Sequence, residues 1–243
     1  MSFRETLKRS DAVVGVVKDA RRLVGAVRHN NTIGRNGRLI RQYLQSHEVR
    51  KLHIGAGYTM LDGWLCTDLE PRFNSAVFLD ATKPFPFEDA TFDYVYSEHM
   101  IEHIPYIDGM FMLRECFRVL KPGGSVRIAT PDMKVLLNLY AGPDGPVAEQ
   151  YMHWITDRFL EGVHVYKPQF VINNAFTNWG HRFLYDAEVL GAALAESGFQ
   201  DVRKVTTGQS TEPQLCGLES HGKYIQDEAM ADFETMVFEA RKP

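Results

Sequence analysis

The stretch from Lys51 to Pro71, KLHIGAGYTMLDGWLCTDLEP, constrains the fold more than any other part of the chain. Leu52, His53 and Ile54 predict a short buried strand, and the turn Gly55-Ala56-Gly57 follows at once, where the backbone turns tightly or lets a ligand come close. A second strand is predicted over 64–67 and ends on Asp68. A carboxylate at the C-terminal edge of a strand, beside a glycine turn, can hold the two hydroxyl groups of a ribose. The stretch therefore predicts a nucleotide site in an α/β fold.

These residues alone leave a structural alternative open, because any tight turn can carry such glycines and an Asp after a strand often forms a turn or caps a helix. A dinucleotide fingerprint would have a third glycine at position 60 and an acid about twenty residues on. The chain instead has Met60, and Asp68 stands thirteen residues after Gly55. A nicotinamide cofactor is therefore disfavoured.

The length of 243 residues suits one large domain with its own core, and two full domains would be crowded. No apolar run approaches the length of a membrane span, and the N-terminus lacks an apolar signal core. Cys66, Cys116 and Cys216 show no metal-type spacing, which indicates a reducing compartment without a disulfide framework. We expect a soluble, cytoplasmic protein with no transmembrane segment.

The charge of the chain is unevenly distributed. Residues 1–50 contain eleven Lys/Arg and four Asp/Glu, a net +7, which leaves −11 for the remainder of a chain whose net charge is −4. Apolar residues at helical spacing predict amphipathic helices between Phe3 and Arg28 and a short helix through Leu39 and Tyr43. We interpret residues 1–49 as a basic helical cap on an acidic core; a surface that attracts a membrane or an anionic substrate is the alternative.

The rest of the chain, 50–243, is predicted to form one domain in which strands alternate with helices. A strand over 76–79 again ends in an acid, Asp80, followed by Ala81. Further strands are predicted over 94–97, 125–130, 202–206 and 233–240, and helices over 106–120 and 186–197. Such alternation predicts right-handed crossovers and a mostly parallel sheet.

Residues 142–184 differ in kind, because aromatic residues crowd there between histidines. This segment is predicted to be an insertion, either a lid whose rings stack on a flat or sugar-like acceptor or a unit whose rings simply pack onto the sheet. The residues are Tyr151, Trp154, Phe159, Tyr166, Phe170, Phe176, Trp179 and Phe183, interleaved with His153, His164 and His181.

Taken together, the motifs follow the order of a known family. KLHIGAG, the acids Asp68 and Asp80, FPFEDATFDYVYSEHMIEHIP and RECFRVLKPGGSVRIATPD resemble the class I S-adenosylmethionine-dependent methyltransferases, most closely the branch associated with saccharide and secondary metabolism. The resemblance covers about 50–135 strongly and 180–240 moderately. It implies a Rossmann-like fold, a mostly parallel seven-stranded sheet with an antiparallel last strand, to which the N-terminal cap and the aromatic insertion are added.

The resemblance also assigns residues to the donor, S-adenosyl-L-methionine. The glycine turn would approach the methionine end, Asp68 would hold the ribose, Asp80 and Ala81 would line the adenine, and the end of the strand over 94–97 would lie beside the sulfonium. The full set is His53, Gly55, Ala56, Gly57, Asp68, Leu69, Asp80, Ala81, Ser97 and Glu98.

Two departures from the family pattern concern the methionine end of the donor. His53 stands where the family usually has an acid, and so few residues separate Gly57 from Trp64 that the first helix is expected to be much shortened. The contacts with the methionine carboxylate and amine are therefore less defined than the ribose contact.

A histidine-rich turn follows the strand over 94–97. His99, Glu102 and His103 would share one face if 98–104 were helical, at the C-terminal edge of the sheet. An alcohol holds its proton with a pKa of about 15.7, as water does, so that a base or a metal must assist methyl transfer to it. His99, His103 and His181 are the candidate catalytic residues.

The same turn is a candidate site for a divalent metal such as Mg²⁺, because two imidazoles and a carboxylate form a plausible ligand set. The predicted ligands are His99, Glu102, His103 and, from the aromatic insertion, His164. The pattern HxxEH resembles the metal-dependent 2'-O-methyltransferases of small-RNA ends. The alternative is an E-H pair that packs near the donor without a metal, as in many class I methyltransferases.

The sequence thus predicts an S-adenosylmethionine-dependent O-methyltransferase that acts on a hydroxyl of a saccharide or glycosylated metabolite, with a small-molecule or saccharide acceptor as its partner. One alternative is RNA 2'-O-methylation, with the basic first fifty residues as the phosphate-binding surface, although nucleic acid is disfavoured. A non-catalytic cofactor-binding subunit is another. The sequence leaves a homo-oligomer open.

Overall fold

The computed structural model describes residues 34–142 and 145–243, so that the helices expected between Phe3 and Arg28 lie outside the described residues. A seven-stranded sheet has the order β3-β2-β1-β4-β5-β7-β6, and β7 is antiparallel to both of its neighbours. The predicted Rossmann-like sheet with an antiparallel last strand is therefore confirmed. The strands are β1 (Lys51–Ile54), β2 (Leu65–Asp68), β3 (Val77–Phe78), β4 (Phe92–Glu98), β5 (Leu120–Pro131), β6 (Gln200–Val205) and β7 (Thr235–Arg241).

Eight helices accompany the sheet in the described ranges. The helices predicted through Leu39 and Tyr43, over 106–120 and over 186–197 are present. No helix of the described ranges is long and apolar enough to cross a membrane. The helices are α1 (34–46), α2 (Tyr106–Val119), α3 (Met133–Ala141), α4 (Pro146–Phe159), α5 (Pro168–Thr177), α6 (Ala187–Glu196), α7 (His221–Ile225) and α8 (Glu228–Glu234).

The first half of the sheet departs from the expected alternation of strands and helices. Residues 55–64, 69–76 and 79–91, all of which the structure describes, form turns and extended connections without a helix. The β1–β2 connection is too short for more than a turn, and prolines such as Pro71 and Pro84 interrupt the later two connections. The expected shortened first helix is thus absent altogether.

The C-terminal strand also begins later than predicted. Residue Phe233, expected at its start, lies in α8, whose N-terminus is capped by the Asp227 side chain accepting a hydrogen bond from the Met230 amide at 3.1 Å. A capped helix at this point ends where β7 begins, at Thr235.

One face of the sheet carries the main core. Leu52, Val95 and Val126 occupy it with less than 1% exposure, and α1, α2 and α6 cover it. Tyr43 of α1 is buried in this core, and its hydroxyl donates to the Lys51 carbonyl at 2.9 Å. The helix at the end of the predicted cap therefore packs directly on the sheet.

The opposite face is covered near β1, β2 and β4 by the connection between β6 and β7 rather than by a helix. We call residues 206–220 of this connection the cover segment. Its Leu215 is fully buried against Trp64, Cys66 and Tyr96 of the sheet face. The cover segment therefore fills the space that the missing β1–β2 helix leaves open.

A buried arginine fastens the cover segment to the sheet. The Arg127 side chain is fully buried in β5, and its guanidinium lies 2.6 Å from a carboxylate oxygen of Glu219 and 2.6 Å from one of Glu239. It also donates to the Gln209 carbonyl at 2.9 Å. Arg203 reaches Glu239 from an exposed position at 2.9 Å.

The aromatic insertion forms α4 and α5, which build a second apolar cluster with α3 and α8. Tyr151 is buried in this cluster, whereas Trp154 and Phe159 are half-buried and Trp179 is 42% exposed. Some rings of the insertion thus pack inward and others remain available at the surface.

We predict that Arg127→Met destabilises the protein by about 3–5 kcal/mol, because the substitution leaves two buried carboxylates without their cation. Urea unfolding at neutral pH measures this loss. The matched control is Arg203→Met, which removes an exposed partner of Glu239 and should cost at most about 1 kcal/mol. Equal losses in the two variants would contradict the role assigned to Arg127.

Candidate active site

The glycine turn after β1 contacts the histidine-rich turn after β4. Gly55 has a φ of 75°, and its amide and that of Ala56 both donate to the Thr67 carbonyl at 2.9 Å. A Cβ at Gly55 would overlap the Met100 side chain. At Gly57, with a φ of 52°, no described atom lies within 4 Å of where a Cβ would stand. The turn is thus packed on one side and open on the other.

Asp68 is held in a fixed orientation at the end of β2. Its carboxylate accepts hydrogen bonds from the Gly57 amide at 2.8 Å and from the Glu70 amide at 2.7 Å. A carboxylate has about four acceptor positions, so two such bonds orient it and leave capacity for ribose hydroxyls. The side chain is half-buried, and the adjoining Leu69 is 58% exposed.

Asp80 lies at the same edge of the sheet, two residues after β3, the neighbour of β2. One of its oxygens accepts from the Thr82 amide at 2.9 Å and from the Thr82 hydroxyl at 2.7 Å. Ala81 is buried beside it. The two strand-end acids and the glycine turn therefore line one edge, as the sequence predicts.

His53 has a different environment from the one expected of a donor contact. It is 2% exposed, and its ring lies 5.1 Å from that of Tyr96 on the face under the cover segment. Burial lowers the pKa of His53 to about 4. His53 is therefore neutral at pH 7 and does not supply the negative charge that an acid at this position would.

Glu98, at the end of β4, binds the start of α7. Its carboxylate accepts from the amides of Ser220 and His221, each at 2.9 Å, and from the Ser220 hydroxyl at 3.0 Å. The neighbouring Ser97 hydroxyl is buried without a hydrogen-bond partner among the described residues. Glu98 thus positions His221 at the edge where the donor is expected.

Residues 98–104 do not form the regular helix considered from the sequence; the chain forms only a 3₁₀ turn at Ile101–His103. The His99 amide still bonds to the Ala129 carbonyl of β5 at 2.9 Å, and His99 then takes a φ of 45°. This left-handed residue turns the chain and prevents a regular helix. Glu102 nevertheless comes to lie between His99 and His103.

Glu102 is a fully buried carboxylate with an ionic partner. One oxygen accepts from the Thr130 hydroxyl at 2.9 Å; the other lies 3.4 Å from His99 Nδ1 and 4.0 Å from His103 Nε2. Burial alone would raise the pKa of Glu102, but the two histidines lower it to about 2. Burial alone would lower the pKa of His99, but its interaction with Glu102 outweighs burial, so the pKa of His99 is raised.

His99 also contacts groups that the sequence did not indicate. Its Nε2 lies 3.0 Å from the Thr235 hydroxyl, and its ring stacks on that of His221 with centroids 3.7 Å apart. His221 Nε2 lies 3.6 Å from one carboxylate oxygen of Glu234, and the other oxygen accepts a short hydrogen bond from the Tyr151 hydroxyl. These partners stand far from His99 in the chain, so no local motif signals them.

His103 faces a third histidine, His181, from the aromatic insertion. Their ring centroids are 5.0 Å apart, and the rings are inclined at 64°. His181 Nδ1 lies 2.7 Å from the Ala175 carbonyl, which can only accept, so Nδ1 carries the proton and Nε2 keeps a lone pair. Burial lowers the pKa of His181. A neutral His181 is therefore suited to accept a proton.

Two groups of three side chains in the described ranges bring their ligand atoms within 4.8 Å of one another: His99, His221 and Glu234, and Glu102, His103 and His181. In the first group the two imidazoles are stacked on each other, and both nitrogens of His99 already face protein groups, the Thr235 hydroxyl and Glu102. In the second group the rings are inclined, and the Glu102 oxygen that faces them has no hydrogen-bond partner. The second group therefore fits a divalent ion.

The sequence-predicted metal set is thus only partly brought together. Glu102 and His103 share the second group, and His99 flanks it through Glu102. His164 is exposed and belongs to neither group, whereas His181 takes part in the second.

Comparison with known proteins identifies the domain. Residues 64–128, which run from the start of β2 into β5, match the family model described as "Methyltransferase domain". The match spans about a quarter of the chain, and it supports the predicted enzyme class, a methyltransferase, at that level. The narrower assignment to a saccharide branch stays a prediction.

Two curated relatives match short stretches of the chain. Sterol 24-C-methyltransferase erg6 of Schizosaccharomyces pombe is 56% identical over 39 residues, 16% of this chain and 10% of the relative. Phosphoethanolamine N-methyltransferase 2 of Caenorhabditis elegans is 32% identical over 74 residues, 30% of this chain and 14% of the relative. The chain thus matches at most about a seventh of these relatives' lengths, and their names state different acceptors.

Solved methyltransferase structures are similar over most of the chain at low identity. A SAM-dependent methyltransferase from Archaeoglobus fulgidus has a TM-score of 0.46 at 19% identity, and the match covers 91% of this chain and 94% of that one. One from Mesorhizobium loti has a TM-score of 0.46 at 15% identity, with coverage of 79% and 90%. The fold assignment rests on the sheet order of the chain itself.

We predict that Glu102→Gln lowers the pKa of His99 from above 6.5 to below it, because burial then acts without the opposing carboxylate. An NMR titration of the His99 ring proton measures the change, with the remote His47 ring as an internal control. An unchanged His99 pKa in the variant would refute the ion pair.

Proposed function

We propose that this protein is an S-adenosylmethionine-dependent O-methyltransferase and that its acceptor is a hydroxyl of a saccharide or glycosylated metabolite. The observation that carries the proposal is the shared edge of the sheet, where the oriented Asp68 carboxylate and the open side of Gly57 adjoin the histidine turn through the Gly55–Met100 contact. A donor bound at Asp68 and Gly57 is thereby close to a base beside the histidine turn.

Donor binding would use the residues that line this edge. Asp68 has acceptor capacity for the ribose hydroxyls, and Asp80 with Ala81 forms the neighbouring wall for the adenine. The methionine end would lie over the glycine turn. Glu98 would act on the methionine end of the donor only indirectly, because its carboxylate accepts hydrogen bonds from the amides of Ser220 and His221.

His181 is our candidate for the general base. The donor supplies a methyl group on a sulfonium that leaves as a neutral thioether, so a new carbon–oxygen bond forms as the carbon–sulfur bond breaks. The acceptor hydroxyl must lose its proton, and the His181 Nε2 lone pair can receive it because Nδ1–H is held by the Ala175 carbonyl. The ionised Glu102 lies beside this base and favours the imidazolium that forms, whereas His103 opposes it.

If the enzyme instead uses a divalent ion, Glu102, His103 and His181 would be its ligands, and the His181 Nε2 lone pair would bind the ion rather than accept the proton. An ion there would lower the pKa of a bound acceptor hydroxyl, so that the hydroxyl would lose its proton more easily. The unpartnered oxygen of Glu102 supports this form of the site.

The choice of a saccharide acceptor rests on the ring beside this base. Trp179 is 42% exposed, and its ring centroid lies 5.8 Å from that of His181. An exposed indole offers a flat apolar face on which a sugar ring can lie while its hydroxyls reach polar groups nearby. This arrangement favours a saccharide over a long alkyl acceptor.

We predict that Asp68→Ala weakens binding of S-adenosylhomocysteine more than tenfold, because the ribose loses its acceptor. Isothermal titration calorimetry measures the affinity, and Asp62→Ala, an exposed acid in the same stretch, is the control that should bind as the wild type does. Equal affinity of the Asp68 variant would remove the proposed donor site.

We predict that His181→Ala lowers kcat by about 10²–10⁴ while donor affinity is kept, because only the proton acceptor is lost. The assay is transfer of labelled methyl to a panel of sugars, glycolipids and RNA, followed with the best acceptor. His164→Ala, an exposed histidine of the same insertion, should leave kcat unchanged. A loss in His164→Ala instead would favour the ligand set predicted from sequence.

We predict that kcat/KM of the wild type rises with pH through a pKa below 6.5 and is level at pH 7, because burial lowers the pKa of His181 and only its neutral form accepts a proton. The profile is measured with and without chelator. A profile that rises only above pH 8, or full activity of an RNA acceptor alone, would contradict the proposal; unchanged turnover under chelation would remove only the metal.

A further inference from the structure

We infer that the acceptor is an oligosaccharide of several units, bound along a line of aromatic rings that leads from a cleft between α4 and α8 to the His103–His181 pair. The inference rests on the proposed function for the site at which the line ends. It adds a binding site that lies outside that catalytic group.

The cleft has a volume of about 550 Å³ and is large enough for more than one sugar ring. Its α4 wall presents two pairs at helical spacing, Glu149 with His153 and Gln150 with Trp154, which stand on adjacent rows of one helix face. Asp227, at the N-terminus of α8, forms part of the opposite wall. Acceptor groups and an aromatic wall thus face the same space.

The rings continue from this cleft to the histidines without a gap. Trp154 and Phe159 have centroids 5.1 Å apart, Phe159 and Trp179 lie 5.2 Å apart, and Trp179 and His181 lie 5.8 Å apart. His181 then contacts His103 at 5.0 Å. We call Trp154, Phe159, Trp179 and His181 the aromatic track.

The surface and backbone of the track differ from those of a simple core. Trp154, Phe159 and His181 are only partly buried, and Trp179 is 42% exposed. Trp179 also has a φ of 57°, a conformation that is uncommon for a bulky side chain and that is found at ligand sites more often than elsewhere. The track therefore offers ring surface to a ligand chiefly at Trp179, and the partly exposed rings of Trp154 and Phe159 offer it together with the Arg158 guanidinium that lies over them.

The polar groups of the cleft identify the ligand as a neutral or amino saccharide. An alkyl chain would remove water from the Glu149 and Asp227 carboxylates without replacing its hydrogen bonds, whereas sugar hydroxyls donate to them. Phosphates or uronic acids would be repelled by the same carboxylates. Arg158, over Trp154 at 5.7 Å and over Phe159 at 5.8 Å, adds donors for hydroxyl oxygens at the side of the track.

A glycan microarray of neutral, amino and anionic saccharides from one to six units tests the inference on the full chain. We expect the wild type to retain neutral or amino glycans of three or more units at least tenfold better than monosaccharides. Trp154→Ala and the surface change Glu149→Gln should each abolish this dependence on length. Tyr140→Ala, an exposed ring outside the track, should bind as the wild type does.

Retention by the wild type that does not depend on length or that favours anionic glycans would overturn the inference, and so would a length dependence that persists in Trp154→Ala and Glu149→Gln. Kinetics separate it from the proposed function. If a monosaccharide and a tetrasaccharide are methylated with the same KM in wild type and Trp154→Ala, the oligosaccharide site on the track is refuted and the proposed activity is retained. If long glycans bind in a Trp154-dependent manner but no acceptor receives a methyl group, the oligosaccharide site is supported and the proposed activity is refuted.

Discussion

The ion pairs of Arg127 determine how one face of the sheet is closed. A buried guanidinium is costly to desolvate, and it is stable here because Glu219 and Glu239 meet it from two different elements. Glu219 belongs to the cover segment, and the residues that follow it, Ser220 and His221, bind Glu98 at the end of β4. One buried charge in β5 therefore fixes the cover segment over a face without a helix and brings His221 to the active edge.

Glu102 is the second buried charge, but its surroundings differ in a way that points to function. Both carboxylates around Arg127 have direct ionic partners at 2.6 Å, whereas the Glu102 oxygen toward the histidines has longer separations, 3.4 Å from His99 Nδ1 and 4.0 Å from His103 Nε2. Buried charges are usually closely paired, so the looser pairing of Glu102 is consistent with its place in the proposed catalytic group. The first charge holds the cover segment on the sheet, and the second belongs to the proposed site.

The sequence predicted the parts of the molecule that local patterns encode. Short apolar runs, the glycine turn and strand-end acids such as Asp68 follow from periodicity and neighbouring residues, and the sheet confirms their arrangement. The turn at His99 was misjudged as helical, because nothing in its neighbours signals a left-handed residue that stays paired to β5. His221 could not be predicted as a partner of His99, since only the tertiary fold of the cover segment brings them together.

The aromatic insertion combines both arrangements that the sequence left open, because some of its rings are buried and others remain partly exposed. Tyr151 points inward and bonds to Glu234, which lies beside His221 and His99, while Trp154, three residues on, borders the cleft. The same helix also shares an apolar cluster with α3, α5 and α8. The insertion is consequently connected to the histidines at the sheet edge through Tyr151, whose hydroxyl bonds to the carboxylate that lies beside His221.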